Sequence, residues 1–316
     1  MAGEAFGEHT VGNLEGKVCV ITGANSGLGL ETTRILASAG AHVVMACRTP
    51  SKAESALAGP LAKARERISV ERLDLADLTS VRAFAERFRH DRLDVLINNA
   101  GIMAIPRSVT ADGFEMQLGT NHLGHFALTG SLLGPLLATP QSRVVVVSST
   151  LHRVGKIDFA DIQGQRRYHP WRAYSQSKLA NLLFTLELQK RLERAGAAVL
   201  SVAAHPGYAA TNLQLVGPQL KRSRLWTGVM KLSNRVAAQP PAMGALPQVY
   251  AAVASDVANG AYYGPGGPFE MQGPPKRVGR SHAAANPDYA LRLWDVSCEL
   301  TGVGFDELGR PSSVYS

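Results

Sequence analysis

No apolar run in this sequence approaches the roughly 18 to 20 residues that a membrane span needs. The opening MAGEAFGEHT holds no apolar block either. The chain is therefore expected to be soluble, unprocessed and cytoplasmic. Cysteine is scarce: Cys19, Cys47 and Cys298 are the only three among 316 residues, far apart and without a Cys-x-x-Cys pair. That excludes a disulfide framework or a zinc site and suits a reducing compartment. The nine histidines form no ligand cluster with carboxylates or cysteines. His122 and His125 stand one helical turn apart, a spacing that packing or capping accounts for, and no metal is expected.

Concentrated charge is also lacking. The formal balance is +8, but the arginines, among them Arg34, Arg65, Arg82, Arg87, Arg191 and Arg194, are scattered over the polar sides of predicted helices. A nucleic-acid binder gathers its charge on one face or tail. A solvated basic surface is the simpler reading, and it can still attract an anionic cofactor.

What the sequence does contain is an unbroken alternation of strand and helix patterns from Lys17 to about Ala204, the mark of an α/β domain. Residues 1–13 read as an N-terminal tail and 14–316 as one domain. The apolar run Val18–Ile21 suits a buried parallel strand. Gly23, Gly27 and Gly29 follow it directly, and then a helix face of Thr32, Thr33, Ile35, Leu36 and Ala39. Glycines there permit a tight turn and close backbone approach, while the helix N-terminus offers free N–H groups to a pyrophosphate. The spacing is Gly-x-x-x-Gly-x-Gly. At the end of the next strand, where a carboxylate usually holds the ribose 2′-hydroxyl, stand Cys47 and Arg48. A guanidinium suits a 2′-phosphate, so NADP (NADPH) is expected rather than NAD.

Two further apolar strands, LDVLINNAG and RVVVVSST, stop at small polar residues, as strands facing a ligand do. Ser149 closes the second and can bond a substrate oxygen, while Ser148 points to the other side of the strand. Tyr174 and Lys178 lie four apart in a helical segment, which puts both on one face. A phenol with a reference pKa of about 10 is a poor base at neutral pH, and a neighbouring ammonium is expected to lower that value. The pair is a candidate general acid/base.

Together these residues resemble the short-chain dehydrogenase/reductase family, from about Leu14 to beyond Thr211. The resemblance implies a single-domain α/β Rossmann fold, a doubly wound parallel sheet of about seven strands flanked by helices. It implies that Gly23, Asn25, Ser26, Gly27, Leu28 and Gly29 form the cofactor loop and that Asn99, Ala100 and Gly101 of NNAG border it. Asp74, with Leu75, falls to the adenine. Pro206, Gly207 and Thr211 are similar to the segment that contacts the nicotinamide. It also implies that Asn121, Ser149, Tyr174 and Lys178 form the catalytic tetrad, with Lys178 also holding the nicotinamide ribose. Tyr174 follows Ser149 by 25 positions, a longer interval than in many members. That insertion, the ACR strand end and the LWDVSCELTG tail look like the retinol-dehydrogenase-like branch, which favours NADP and lipophilic alcohols or carbonyls.

A substrate loop is expected at about 208–241. Within it Leu225, Val229 and Leu232 share one helical face. That face suits a lid over a lipophilic substrate, plain packing, or weak membrane-surface association. The stretch GPGGPFEMQGPPKR reads as loop, and Asn286-Pro287 opens a C-terminal helix over about 287–301. That helix suits core packing or a subunit contact, and a homodimer or homotetramer stays open. The expected activity is reversible hydride transfer between NADP(H) and an alcohol/carbonyl pair. The alternatives are a cofactor-binding sensor or scaffold without turnover, which would need none of the tetrad, and an NAD-dependent dehydrogenase.

Overall fold

The computed structural model describes residues 5–208 and 239–309. Eight strands form one sheet: β1 (Val18–Thr22), β2 (His42–Cys47), β3 (Ile68–Arg72), β4 (Val95–Asn98), β5 (Arg143–Val147), β6 (Leu200–Ala204), β7 (Tyr262–Pro265) and β8 (Pro275–Arg277). Their order across the sheet is β3-β2-β1-β4-β5-β6-β7-β8. All neighbours are parallel except β7 and β8. The chain leaves β1 toward one edge and returns at β4 to build toward the other. A crevice therefore opens at the C-terminal ends of β1 and β4.

The strands are apolar on both faces because helices cover both. Val20, Val44, Leu96, Val144 and Ala203 enter one core, with Val81 and Phe84 of α3 (Leu78–Arg87), Leu128 of α5 (Gly124–Ser131), Leu182 of α7 (Pro170–Arg194) and Leu293 of α9 (Pro287–Thr301). The intervening strand residues Cys19, Ile21, Val43, Ile97, Val145 and Val202 enter the other. They meet Ile35 of α1 (Gly27–Ser38), Ala53 of α2 (Pro50–Leu57) and Val249 of α8 (Pro241–Val253). Two short helices, α4 (Met116–Leu118) and α6 (Leu133–Ala138), flank α5, and a π turn, Gly119–Leu123, joins α4 to α5.

The sheet has one strand more than expected. The surplus is β8, inside the proline- and glycine-rich stretch read as loop. Three residues pairing on one side only tolerate Pro275 at the sheet edge and leave no alternation for a sequence pattern to reveal. The C-terminal helix is capped at both ends: Asn286 Oδ1 accepts from the N–H groups of Asp288 and Tyr289, and Gly302 takes the left-handed conformation. Most of the expected substrate loop, including Thr211 and the Leu225, Val229 and Leu232 face, lies outside the described residues.

Candidate active site

The turn after β1 is shaped by glycine. Gly23 and Gly27 have φ of +65° and +55°. A Cβ at Gly23 would press on Ala100 at 3.0 Å, and one at Gly29 would strike the Gly23 carbonyl and lie 2.7 Å from Asn99 Nδ2. Only a bare backbone closes this loop. Asn25 and Leu28 are half-buried and Ser26 exposed. Ser26 caps α1 without a side-chain hydrogen bond. The first N–H groups of the helix thus face the crevice with no side-chain cap, and these are the donors that could hold a pyrophosphate.

Arg48 is exposed at the end of β2, next to buried Cys47. Its surroundings include no carboxylate from β2 itself. Asp74 is half-buried after β3; its Oδ1 accepts from Ala76 N–H at 3.0 Å, and its own N–H donates to Ser80 Oγ. Leu75 is buried against Gly124, where a Cβ would strike the Leu75 carbonyl. At the end of β4, Asn99 and Ala100 both donate their main-chain N–H to Thr22 Oγ1 at 2.9 Å, and Asn99 Nδ2 donates to Thr22 O at 2.7 Å. Gly101 is close enough to the next layer that an added Cβ would stand 3.3 Å from Asn121 Oδ1 and 3.5 Å from Lys178 Nζ.

Helix α7, started by Pro170 at its first turn, carries Tyr174 and Lys178 on one buried face. They are 4% and 3% exposed. Lys178 Nζ lies 5.7 Å from the Tyr174 ring centre and donates to the Val147 carbonyl at 3.0 Å. The tyrosine hydroxyl meets the Ser149 side chain, whose hydrogen bond favours the phenolate. Ser149 caps the short helical turn Thr150–Val154, with Oγ accepting from Leu151 N–H at 3.2 Å. Ser148 turns the other way and donates to the Lys178 carbonyl at 2.7 Å. Asn121 sits in the π turn. Its Oδ1 accepts from Ile102 N–H at 2.8 Å, and its Nδ2 donates to Ile102 O and Ser177 Oγ, both at 2.9 Å. Pro206 and Gly207 follow β6, with Gly207 at φ +65° and packed against the Met271 carbonyl.

One expectation needs correction. Burial pushes the Tyr174 phenol up to about 12, outweighing the Ser149 hydrogen bond, and the same desolvation brings Lys178 down to about 8. The protein groups by themselves hold the phenol protonated at neutral pH.

Several supporting residues escaped the sequence pattern. Ser177 donates to the Tyr174 carbonyl at 2.8 Å, and Asn181 Nδ2 shares the Val147 carbonyl with Lys178. His152 Nδ1 stands 2.7 Å from the Ser149 carbonyl, and its Nε2 accepts from Ser281 N–H. The insertion is anchored by Tyr168, whose hydroxyl meets the Ile105 carbonyl at 2.9 Å, Glu115 and Gln117. Gln117 Oε1 in turn accepts from Ala104 N–H, and Ala104 is held at φ +52°. A local signal existed for Ser177 alone, through its place between Tyr174 and Lys178. The others depend on tertiary contacts. Among the described residues no group of His, Cys, Asp or Glu is placed to hold a metal ion, and no helix is long and apolar enough to cross a membrane.

A parallel sheet with a glycine turn at its switch point, and buried Tyr174, Lys178 and Asn121 with half-buried Ser149 beside it, defines a nucleotide-dependent oxidoreductase architecture. Residues 17–217 match the family model described as short chain dehydrogenase. The chain belongs to that family, in its retinol-dehydrogenase-like branch. It is 44% identical over 299 residues to retinol dehydrogenase 12 of Mus musculus, covering 93% of this chain and 89% of that protein. A crystal structure of an uncharacterized protein from Mycobacterium Paratuberculosis superposes with a TM-score of 0.79 at 44% identity, covering 96% of this chain and 99% of the other. Another, from Beutenbergia cavernae, titled as an NAD(P) dependent gluconate 5-dehydrogenase with bound NADP, superposes at 0.60 with 28% identity, over 79% and 95% of the two chains.

Proposed function

We propose that this protein is an NADP(H)-dependent oxidoreductase that interconverts a lipophilic alcohol and its carbonyl, with Tyr174 as general acid/base. The observation that carries the reading is the convergence of buried Tyr174 and Lys178 with half-buried Ser149 beside the mouth of a glycine-lined turn. The fit to a dinucleotide rests on that turn, which closes tightly only because Gly29 carries no Cβ to strike the Gly23 carbonyl, and on the uncapped start of α1.

In this reading Gly23, Asn25, Ser26, Gly27, Leu28 and Gly29 hold the pyrophosphate, and Arg48 pairs with a 2′-phosphate. Asp74 and Leu75 border the adenine. Asn99, Ala100 and Gly101 line the ribose side, and Pro206, Gly207 and Thr211 the nicotinamide side. When bound, the nicotinamide supplies the hydride chemistry and a positive ring beside the phenol. Tyr174 gives its proton to the carbonyl oxygen in reduction and takes one from the alcohol in oxidation. Ser149 orients that oxygen. Lys178, anchored on the Val147 carbonyl, places positive charge near the phenol and favours its ionised form. A phenol held protonated by burial suits the proton-donor role in carbonyl reduction.

The retinol dehydrogenases that resemble this chain carry a lipophilic alcohol in their names, which supports that substrate class without fixing the molecule. The test is an NADPH-oxidation screen across retinoid, steroid, fatty aldehyde and quinone-like carbonyls. Turnover on at least one class that is lost in Tyr174→Phe supports the reading; NADPH binding without turnover on any class removes it.

A further inference from the structure

We propose that His125 is a positioning residue that couples the floor of the dinucleotide cradle to the main chain of Asn121. The proposal rests on the reading above. His125 lies on α5, one turn after Asn121, and is 1% exposed. Its two ring nitrogens bond in opposite directions. Nδ1 is 3.0 Å from the Asn121 carbonyl, and Nε2 is 2.8 Å from Thr22 Oγ1.

The proton positions follow from what each partner can offer. A carbonyl only accepts, so Nδ1 carries the hydrogen and donates to Asn121 O. In the neutral ring Nε2 must then accept, and Thr22 Oγ1 must donate to it. The Thr22 oxygen is free to do so because it receives the N–H groups of Asn99 and Ala100, both at 2.9 Å. Its alternative acceptor, the Ile97 carbonyl, is farther away at 3.4 Å. Neutrality agrees with the setting: burial holds the imidazole down at about 4, against the Asn121 carbonyl bond, with the Lys178 charge adding to the depression.

The result is a continuous chain of bonds from Asn99 and Ala100 through Thr22 and His125 to Asn121. It joins the ends of β1 and β4, which form the cradle floor, to the π turn that carries the tetrad asparagine. The main chain of His125 is tied down as well: its carbonyl accepts from Thr129 Oγ1 at 2.7 Å, and Thr129 accepts from Asn98 Nδ2 of β4 at 3.0 Å. A π turn is a rare break in regular helix, frequent at functional sites, and the bond from the His125 ring to the Asn121 carbonyl ties that turn to the cradle floor.

Three substitutions separate the two halves. His125→Phe keeps the burial and loses both bonds. His125→Asn brings an amide N–H to the Nδ1 position and keeps only the Asn121 bond. His125→Gln reaches Thr22 and keeps only that one. NADPH affinity is read by fluorescence without substrate, and kcat with saturating NADPH on the best carbonyl from the screen. For Phe we expect NADPH Kd and kcat each to worsen about tenfold, the equivalent of one unsatisfied buried group. Asn should recover kcat but not Kd, and Gln should recover Kd but not kcat. The proposal is overturned if folded His125→Phe stays within about twofold on both, or if Asn and Gln behave alike, because packing alone would give that. Should Phe fail to fold, the Asn and Gln variants decide by the same split. Should the wild type reduce no carbonyl at all, the proposed activity fails, while the Kd difference between Gln and Asn still decides for or against His125.

Discussion

Lys178 Nζ stands 5.7 Å from the centre of the Tyr174 ring and gives a hydrogen bond to the Val147 carbonyl, two residues before Ser149. The ammonium is thus fixed to the strand that presents the serine, and the tyrosine hydroxyl meets that serine. Helix α7 and strand β5 act as one rigid frame for the three groups. A frame of this kind does its work by geometry, so removing one atom should leave binding intact.

Tyr174→Phe removes only the hydroxyl oxygen. Turnover should fall by roughly 10²- to 10⁴-fold, the usual contribution of a positioned acid/base. NADPH affinity, measured by fluorescence titration, should stay within about threefold, because the ring keeps its packing against Trp171. A variant with more than a third of wild-type kcat would remove Tyr174 from the mechanism.

Arg48 is exposed at the end of β2 and has no competing carboxylate in that strand. If it pairs with a 2′-phosphate, Arg48→Ala should weaken NADPH binding by about tenfold or more, since bonds to charged groups contribute about 1.5–3 kcal/mol. NADH binding should barely change. Parallel titrations of both nucleotides check this, and an unchanged preference for NADPH would end the specificity argument.

Much of this was legible in the sequence because it rests on local pattern. The glycine turn, the Tyr174–Lys178 face and the opposite directions of Ser148 and Ser149 follow from one helical turn or from strand alternation. Two features were not legible. The protonation of Tyr174 depends on how deeply α7 is buried, which no four-residue spacing encodes. The role of His125 depends on Thr22, more than 100 positions earlier in the chain, so the His122–His125 spacing looked like simple packing. Edge strand β8 was hidden for a different reason: pairing on one side imposes no hydropathy pattern.

Gly29→Ala tests the cradle without touching a charged group. The added methyl would strike the Gly23 carbonyl and press on Asn99 Nδ2 at 2.7 Å, so the turn must open. Overpacking of this sort costs about 1–3 kcal/mol. Part of it should appear as a lower Tm and part as NADPH affinity weakened about tenfold or more. Wild-type affinity in this variant would mean that the turn is not where the nucleotide lies.

The buried histidines give the protein an acid limit. Burial holds His122 down at about 3 and His125 at about 4, and lowers His152, while an unfolded chain binds these protons near 6.5. The unfolded state therefore carries more protons at any pH between those values. By linkage, stability is full above about pH 6.5 and is lost as pH falls toward about 4. Each histidine that stays neutral in the folded state contributes up to about 1.4 kcal/mol of loss per pH unit. Urea unfolding at pH 7.5, 6.0 and 5.0 should show a falling midpoint with an unchanged m value. A constant midpoint over that range would mean that these rings take up protons as readily folded as unfolded, and the hydrogen-bond directions assigned to His125 would fall with it.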